Sequence, residues 1–416
     1  MFIEYDMLAR QEETGRYFGL ILTGGPGIGK THALMAMRRE GDAFARLAVA
    51  GKSKEDMGTY PIPEKIEGEP GQPGVWIVNQ AITEHVLVPL LEQNIGDGYG
   101  VLLLDDVTAA DPSVQSAILE LVQFGRIGEH QLGKNVIIGL TGNGVADGAY
   151  AIPWSAALTG RCHVVEYKAN FDHWLDLPCN RKLDPLMVGF LHANPEFFAP
   201  SRGDEEMNRK CFDHNNCGPS PRLWTTLGVA SMTKWDGIRN FKESVLFPRR
   251  DIFVQSLVGE KTGTALETYA KTMMDYPSAQ ELFENPSKWS ELSDEKKNAK
   301  GSVYQVAHSV RQHCILLNDK INEKHGFKFT EASNKEKKEL LSKFCRVVAE
   351  IMMQDREMGV FCTRFVCQKA NAKGETLVGH LAAIGYGFDD ADPVLKNANF
   401  PEVIQAIKEV STLLER

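Results

Sequence analysis

Hydrophobic and polar positions follow two different patterns along the chain, and each pattern predicts a different kind of structure. Up to about residue 167, short apolar runs such as residues 18–22, 101–107 and 136–143 alternate with stretches of helical spacing. Apolar runs of this length predict buried parallel strands, and their alternation with helices predicts a doubly wound α/β sheet. After residue 168 the apolar positions recur mostly at helical spacing, which predicts helices.

We expect this pattern to divide the chain into three parts. Residues 1–168 would form an α/β core, and residues 169–275 and 276–416 would form two helical parts. Within the core, residues 43–79 contain many Gly, Pro and charged residues, which predicts loops and short inserted elements. A hairpin is expected over residues 126–135, with Gly133 at its return.

The strongest chemical signal directly follows the first apolar run, where residues 24–31 have the sequence GGPGIGKT. In this G-x-x-x-x-G-K-T pattern the glycines let backbone N–H groups turn inward as an anion-binding nest, at the start of a helix. Lys30 would reach the β- and γ-phosphates of a nucleotide, and the Thr31 hydroxyl would ligate Mg²⁺. A purely structural turn is the alternative, but it gives no reason for Lys and Thr at these positions. The residues expected to contact the nucleotide are Gly25, Pro26, Gly27, Ile28, Gly29, Lys30, Thr31 and His32.

Polar side chains also end two later apolar runs. Asp105 and Asp106 follow the run that begins at residue 101, and Asn143 ends the run that begins at residue 136. The carboxyl ends of strands face the crevice where open α/β sheets bind ligands. We therefore expect Asp105 to hold Mg²⁺ through water, Asp106 to polarise the attacking water, and Asn143 to contact the γ-phosphate or that water. An alternative interpretation is that the two acids only cap the following helix.

Composition narrows the range of partners and compartments. The net charge of −9 and the pI near 5.7 give no general attraction to nucleic acid or to an acidic membrane. Eight irregularly spaced cysteines and the lack of an apolar signal region predict a protein of the reducing cytoplasm. No apolar run approaches the roughly 20 residues that span a bilayer. Cys211, His214 and Cys217 do not have the usual zinc-knuckle spacing, so we expect reduced cysteines there, with zinc as the alternative.

Taken together, these motifs resemble the MoxR-like AAA+ ATPases of the clade with an insert in helix 2 and a hairpin before sensor 1. The resemblance covers residues 16–235, and the tail segment YPSAQELFENPSKW is similar in style to phage-encoded members, which act in the host-cell cytoplasm. It implies an AAA+ P-loop NTPase core, a helical lid and a helical C-terminal extension, with ATP and Mg²⁺ as ligands. The matching segments are GGPGIGKT, EDMGTYP, LLLDDVTAADPSVQSAILELVQFGRIGEHQL, LTGN, PWSAALTGRC, ANFDHWLDL, DPLMVGFLHANPEFF and GPSPRLW.

The resemblance also implies roles for individual residues. The glycine-rich loop would be Walker A, the two acids Walker B and Asn143 sensor 1. Arg222 would be sensor 2, and Arg161 would be the arginine finger that acts on the ATP of a neighbouring subunit. Either arginine can instead be an ordinary surface or ion-pair residue. The family usually has Glu at the position of Asp106, and Asp is one methylene shorter. A protein that switches with bound nucleotide but hydrolyses it slowly is therefore an alternative hypothesis.

The favoured hypothesis is an ATP-hydrolysing motor that remodels or activates a protein partner as a ring homo-oligomer, expected to be a hexamer. By resemblance, the partner would carry a von Willebrand factor A domain on a separate chain and would contact residues 54–74 and 126–133. One alternative is a nucleic-acid-associated AAA+ machine, for which Lys242, Arg249 and Arg250 leave room for a local basic patch. The other is a regulatory scaffold that binds ATP with little turnover.

Overall fold

The computed structural model divides into two compact units. The sheet unit comprises Met1–Asn170, Pro200–Arg209 and Ser220–Arg222, and the helical unit comprises Phe171–Ala199, Lys210–Pro219 and Leu223–Arg416. The residues that the structure describes are 17, 19–38, 42–53, 55–57, 60–66, 75–81, 100–127, 130–133, 136–147, 151–180, 183–214, 217–235, 237–241, 249–299, 301–326, 330–354 and 362.

The sheet unit is built on one parallel sheet and carries two small hairpins. The strands are β1 Gly19–Thr23, β2 Ala43–Ala48, β3 Tyr60–Ile66, β4 Val75–Ala81, β5 Gly100–Asp105, β6 Arg126–Ile127, β7 His130–Gln131, β8 Val136–Gly142 and β9 Cys162–Glu166. Five of them form the main sheet in the order β2–β5–β8–β1–β9, and every neighbouring pair is parallel. The pairs β3–β4 and β6–β7 are antiparallel.

Helices cover both faces of the main sheet. They include α1 Lys30–Met35, α2 Pro112–Ala117, α3 Leu119–Phe124 and α4 Ala156–Thr159. Because side chains alternate along a strand, neighbouring residues of β1 face opposite layers. Leu20 packs in one cluster with Leu34 of α1, whereas Ile21 packs in the other with Val114 of α2 and Leu121 of α3. The central strands β1, β5 and β8 are buried on both sides, which explains their continuous apolar sequences.

The winding of the sheet reverses at β1. Helix α1, which follows β1, covers one face, whereas α2 and α3, which follow β5, cover the other. Ligands of open α/β sheets bind outside the carboxyl ends of the strands at such a reversal. Thr23 of β1 pairs there with Gly142 of β8, and Asp105 ends the next strand of the sheet. The predicted doubly wound α/β fold is confirmed, and its crevice lies at these strand ends.

Strand β2 was not predicted as part of the main sheet. It forms the sheet edge, and its last residue, Ala48, pairs with Asp105 of β5. Its sequence, AFARLA, has weak strand propensity, because alanine is depleted in strands and Arg46 interrupts the apolar run. Pairing with β5 and burial of Leu47 therefore hold a strand that local propensity does not specify.

The predicted hairpin before β8 is present, but its return differs from the expectation. Arg126 pairs with Gln131 and Ile127 with His130, so the chain reverses between residues 127 and 130. Gly133 instead lies in the turn that leads into β8, where its carbonyl oxygen accepts a hydrogen bond from the N–H of Val136 at 3.2 Å. In the predicted insertion, part of residues 54–74 forms β3, and residues 54, 58–59 and 67–74 lie outside the described residues.

From residue 171 onward, the regular elements of the described chain are helical, as predicted. They are α5 Phe171–Asp176, α6 Pro185–Ala193, α7 Glu205–Cys211, α8 Pro221–Trp235, α9 Arg250–Val258, α10 Glu260–Met273, α11 Ala279–Glu284, α12 Ser287–Ser290, α13 Asp294–Lys297, α14 Ser302–His325 and α15 Glu331–Gln354. Helix α6 packs against both α10 and α14, which lie on opposite sides of residue 275 in the sequence. The division into three parts at residues 168 and 275 stays a prediction. No described helix is both long and apolar enough to cross a membrane.

A buried carboxylate holds the start of α6 in the helical unit. One oxygen of Asp184 accepts a hydrogen bond from the N–H of Leu186 at 2.9 Å. The other accepts from the Ser231 hydroxyl at 3.0 Å and from the N–H of Ile238 at 2.5 Å. Burial raises the pKa of Asp184, although these hydrogen bonds act in the opposite direction. The side chain thus joins α6 to α8 and to the short 3-10 turn Ile238–Asn240.

We expect Asp184→Ala to lower the free energy of unfolding by about 2–4 kcal/mol, because it removes the cap of α6 and leaves a buried N–H of Ile238 without its acceptor. Urea unfolding followed by circular dichroism measures this change. Asp111→Ala is the matched control, since Asp111 caps α2 in the same way at an exposed position. Equal losses for the two variants would contradict the role given to burial.

Candidate functional site

The loop between β1 and α1 has a backbone that requires glycine. Gly24, Gly27 and Gly29 have φ values of 152°, 75° and 103°, which residues with side chains rarely adopt. Space is also limited, because a Cβ at Gly24 would lie 2.7 Å from the carbonyl oxygen of Tyr167, and one at Gly27 would lie 2.9 Å from the hydroxyl of Ser220. The glycines predicted for this loop are therefore needed for its shape.

Lys30, the first residue of α1, turns its ammonium group into this loop. The side chain is 6% exposed. Its Nζ donates hydrogen bonds to the carbonyl oxygens of Gly24 at 2.8 Å and Gly25 at 2.7 Å, and to Oδ1 of Asn143 at 2.9 Å. The structure thus brings together the loop and the amide that follows β8, as the sequence predicted for a shared crevice.

The electrostatic surroundings of Lys30 come from several predicted site residues. Burial lowers the pKa of Lys30 to about 8, and the nearby charge of Arg222 acts in the same direction. The carboxylates of Asp106, Asp147 and Asp105 oppose this shift. Since the pKa remains above 7, the ammonium is mostly charged at neutral pH. The loop therefore holds a partly desolvated cation.

Thr31 and Asp105 are in direct contact, as expected of two residues that would share a metal ion. The Thr31 hydroxyl donates to Oδ1 of Asp105 at 2.9 Å, and the Thr141 hydroxyl donates to the same oxygen. Oδ2 accepts from Nε and Nη2 of Arg46 at 2.9 and 2.5 Å. Burial alone would raise the pKa of Asp105, but hydrogen bonds from Thr141, Arg46 and Thr31 outweigh it and hold the pKa below its usual value. Asp105 is thus a buried, ionised carboxylate.

Asp106 has an unusual backbone conformation. It has φ 58° and ψ 42°, and among the described residues other than glycine it alone has a positive φ. Its N–H donates to the Thr141 hydroxyl at 3.0 Å, and the 3-10 turn Val107–Ala109 follows directly. Left-handed geometry costs energy for most residues and is found disproportionately at functional sites. The side chain is exposed beside the buried Asp105.

Asn143 lies one residue beyond β8 and is held from two sides. Its N–H donates to the buried hydroxyl of Thr108 at 2.8 Å, and its side-chain oxygen accepts from Lys30. Thr108 belongs to the turn that follows Asp106. The turns after β5 and β8 are therefore tied together, which orients the amide toward the loop.

The two arginines occupy different ends of the sheet unit. The N–H of Arg222 donates to the carbonyl oxygen of Gly27 at 3.1 Å, so this residue lies at the loop between β1 and α1. Arg161 instead precedes β9, whose first residue pairs with Gly19 at the amino end of β1. Its Nε donates to Oε1 of Gln123 at 2.7 Å, and its Nη1 donates to the carbonyl oxygen of Ala157 at 2.7 Å. About four residues of strand, roughly 13 Å, separate it from the carboxyl edge, so Arg161 does not join the other site residues.

The remaining predicted contacts belong to the same loop and to α1. Gly25 contributes a carbonyl oxygen to Lys30, Ile28 is half-buried, and Pro26 and His32 are exposed. Elsewhere, Cys211 is buried, and the described residues contain no group of three or more His, Cys, Asp or Glu side chains that could hold a metal ion.

Three residues of the site were missed in the sequence. Thr141 precedes Asn143 by two positions in the same strand end, so the argument used for Asn143 could also have found it. Asp147 lies near the loop, with Oδ1 3.8 Å from a Cβ built on Gly25, but it follows no recognisable motif. Arg46 reaches Asp105 from the unpredicted strand β2, and no sequence signal connects the two.

Comparison with known proteins adds little to this picture. No protein-family model and no curated protein matches the chain. Solved structures that match include a chain from Cytophaga hutchinsonii that carries the provisional name of an ATPase. It is 12% identical, and the match covers 86% of this chain and 76% of that one, with a TM-score of 0.25. A likeness this low is not evidence of a shared function.

We expect Arg46→Met to lower the free energy of unfolding by about 1–2 kcal/mol, because it leaves the buried Asp105 carboxylate with hydroxyl donors alone. The Arg46 side chain is about half exposed, which limits the loss through screening. Arg126→Met is the control, since Arg126 and Glu120 form a similarly short pair in which both partners are exposed. Urea unfolding compares the two, and an equal loss would contradict a special role for the Arg46 pair.

Proposed function

We propose that this chain is an ATPase that binds ATP and Mg²⁺ at the loop between β1 and α1. One observation carries the proposal. A glycine-requiring loop, a buried cation, a hydroxyl–carboxylate pair and a strand-end amide converge at the crevice of a doubly wound sheet. Each of these groups has a role in phosphoryl transfer, and together they match what nucleotide phosphates require.

The chemistry of the donors fits both ligands. Lys30 is held by neutral oxygen acceptors, which bind an ammonium less strongly than anionic phosphate oxygens do, so it is available to a polyphosphate. Thr31 and Asp105 offer the hard oxygen ligands that Mg²⁺ prefers, and these residues would hold it. Mg²⁺ would neutralise charge on the β- and γ-phosphates.

The remaining residues would complete the hydrolytic site. Asp106 would orient and deprotonate the attacking water, Asn143 would contact that water or the γ-phosphate, and Arg222 would offset negative charge near the loop. The exposed position of Asp106 and the link between Asn143 and Lys30 support these assignments.

We further propose that Arg161 acts in a neighbouring subunit. Its position at the amino edge of the sheet keeps it from its own loop, as a finger that works in trans requires. Such an arrangement needs a head-to-tail interface that closes into a ring, and six subunits are expected from the resemblance to MoxR-like ATPases. The same resemblance supports a role in remodelling a protein partner, one that carries a von Willebrand factor A domain.

A second candidate function is a nucleotide-dependent switch with little turnover. It is favoured by Asp106, whose carboxylate is one methylene shorter than that of the usual Glu and whose backbone is left-handed. Nucleic-acid binding receives no such support. Arg249 and Arg250 form ion pairs with Asp251 and Glu267, and Lys242 lies outside the described residues.

Lys30→Ala should weaken ATP binding by roughly 100-fold or more, since charge-assisted contacts to the phosphates are lost. Titration with a fluorescent ATP analogue measures the affinity, and circular dichroism checks the fold. Lys324→Ala removes an exposed lysine of α14, which contributes no residue to the candidate site, and it should leave the affinity unchanged. ATP affinity equal to that of the wild type in Lys30→Ala would reject this site.

Asp106→Asn should retain ATP binding and lose turnover by about 10²–10⁴-fold, because an amide cannot accept the proton of the attacking water. Steady-state phosphate release at saturating ATP distinguishes this outcome from loss of binding. Asn also tolerates the left-handed backbone, so the fold should be preserved. If wild-type turnover is already near the rate of the Asn variant, the switch function is favoured over the ATPase.

Arg161→Ala should abolish turnover without weakening ATP binding, and the activity of the wild type should rise with protein concentration as rings form. Mixing Arg161→Ala subunits, which bind ATP, with Lys30→Ala subunits, which still present Arg161, should restore activity that neither has alone. Arg209→Ala, which removes an exposed arginine paired with Glu205 on α7, should behave as the wild type. Absence of rescue in mixed rings of demonstrated mass would count against the finger.

A further inference from the structure

The helical unit contains a cavity that has no part in the proposed ATPase site. Its volume is about 410 Å³, within the range of roughly 300–1,000 Å³ in which proteins bind small molecules. It is bounded by the first residues of α6, the turn Ile238–Asn240, the first turn of α11 and one face of α14. Every lining residue belongs to the helical unit.

Helix α14 contributes a stripe of polar side chains to the cavity. Gln305, Ser309, Gln312 and Leu316 follow one another at intervals of three or four residues, so they share one helix face. Gly189 of α6 allows close approach at the start of this stripe, because a Cβ there would lie 2.5 Å from the Cβ of Gln305. The position of Gln305 is thus set by tight helix packing.

Two side-chain amides of this stripe have unpaired polar atoms. Gln305 and Gln312 are 6% and 1% exposed. Within the described part of the chain, Oε1 of Gln305 and both Oε1 and Nε2 of Gln312 have no hydrogen-bond partner. Buried polar atoms in native proteins are nearly always paired, so two such side chains on one cavity wall require an explanation. A ligand that supplies the missing partners provides one.

The charged groups around the cavity are already paired. Arg239 Nη2 donates to the carbonyl oxygens of Met274 at 2.7 Å and Tyr276 at 3.1 Å. The Glu281 carboxylate accepts from the N–H and the hydroxyl of Ser278, each at 2.8 Å, and from Lys288 at 3.0 Å. Among the described lining residues, the buried amides of Gln305 and Gln312 are therefore the groups with unused hydrogen-bonding capacity.

We propose that this cavity binds a small uncharged molecule that presents a neighbouring hydrogen-bond donor and acceptor, as the edge of an amide or a nucleobase does. A glutamine side chain carries one acceptor oxygen and two N–H donors in a plane, and it pairs with such an edge through two hydrogen bonds. Apolar lining residues, Pro185, Leu186, Met232 and Leu316, can contact the faces of a planar ligand. The inference does not depend on ATP binding.

Two probes test this proposal on the full-length chain by ligand-observed NMR. Nicotinamide represents a primary amide, and uridine represents a nucleobase with a lactam edge. N,N-dimethylnicotinamide and 3-methyluridine are matched controls, because each keeps the rings of its probe but lacks the N–H donor of the amide or lactam edge. At least one probe should bind with a Kd below roughly 1 mM, and its control should bind at least tenfold more weakly. The probe that binds shows whether the cavity prefers a primary amide or a nucleobase. The proposal is overturned if neither probe binds, or if the controls bind as tightly as the probes.

Variants then locate the binding. Gln312→Met keeps the side-chain length without the amide, so it should weaken the probe at least tenfold and, by removing an unpaired buried group, raise Tm by about 2–4 °C. Gln255→Met is the control outside the cavity lining, since Gln255 lies in α9 and its Nε2 donates to the Thr264 hydroxyl at 3.4 Å. If Gln312→Met does not fold, Gln305→Met makes the same comparison. Unchanged probe affinity in a folded Gln312→Met or Gln305→Met variant overturns the proposal.

Discussion

The buried carboxylate of Asp105 is the interaction on which the carboxyl edge of the sheet depends. It ends β5 and receives hydrogen bonds from Thr31 at the start of α1, Arg46 in β2 and Thr141 in β8. An isolated carboxylate would be costly to bury, and it is tolerated because both oxygens are hydrogen-bonded and one faces a guanidinium. Four segments that are distant in sequence are thereby held in one arrangement.

The same edge separates charges that would otherwise neutralise one another. Among the partners found for its Nζ, Lys30 contacts two backbone carbonyls and the amide of Asn143, whereas the carboxylates of Asp106 and Asp147 act on it only through their charge. Asp105, in turn, has Arg46 as its cation. The Lys30 ammonium and the Asp105 carboxylate therefore lie near one another without forming an ion pair with each other. This arrangement suits a ligand that combines phosphate groups with a divalent metal ion.

Features that depend on neighbouring residues in the sequence were predicted correctly, whereas features that depend on contacts between distant segments were missed. The shape of the glycine-rich loop, the apolar strands and the position of Asn143 beside that loop were predicted because glycine spacing, hydrophobic runs and strand ends are local features of the sequence. Arg46 and Asp147 were missed because their contacts join distant segments, and β2 was missed because pairing with β5 outweighs its weak propensity. Gly133 was wrongly expected at the hairpin return, since a glycine can serve either of two successive turns.

The helical unit shows the same limitation in another form. Apolar periodicity predicted its helices correctly but is silent about polar residues that face inward. Gln305 and Gln312 have the spacing of ordinary helix-surface residues, and only packing against α6 reveals that they are buried. That several of their polar atoms find no partner among the described residues is a property of the folded arrangement, since a helical wheel shows both glutamines as ordinary polar positions.

The left-handed backbone at Asp106 restricts how this sequence can vary over generations. Asp and Asn adopt that geometry more readily than Glu does, and the N–H of Asp106 is bound by Thr141 in that conformation. Substitution of Asp106 by Glu should therefore be favoured by accompanying changes that relax the Val107–Ala109 turn or its hydrogen bond to Thr141 of β8. The short acid and the tight turn therefore favour one another, and Glu at this position should be tolerated better when the turn changes as well.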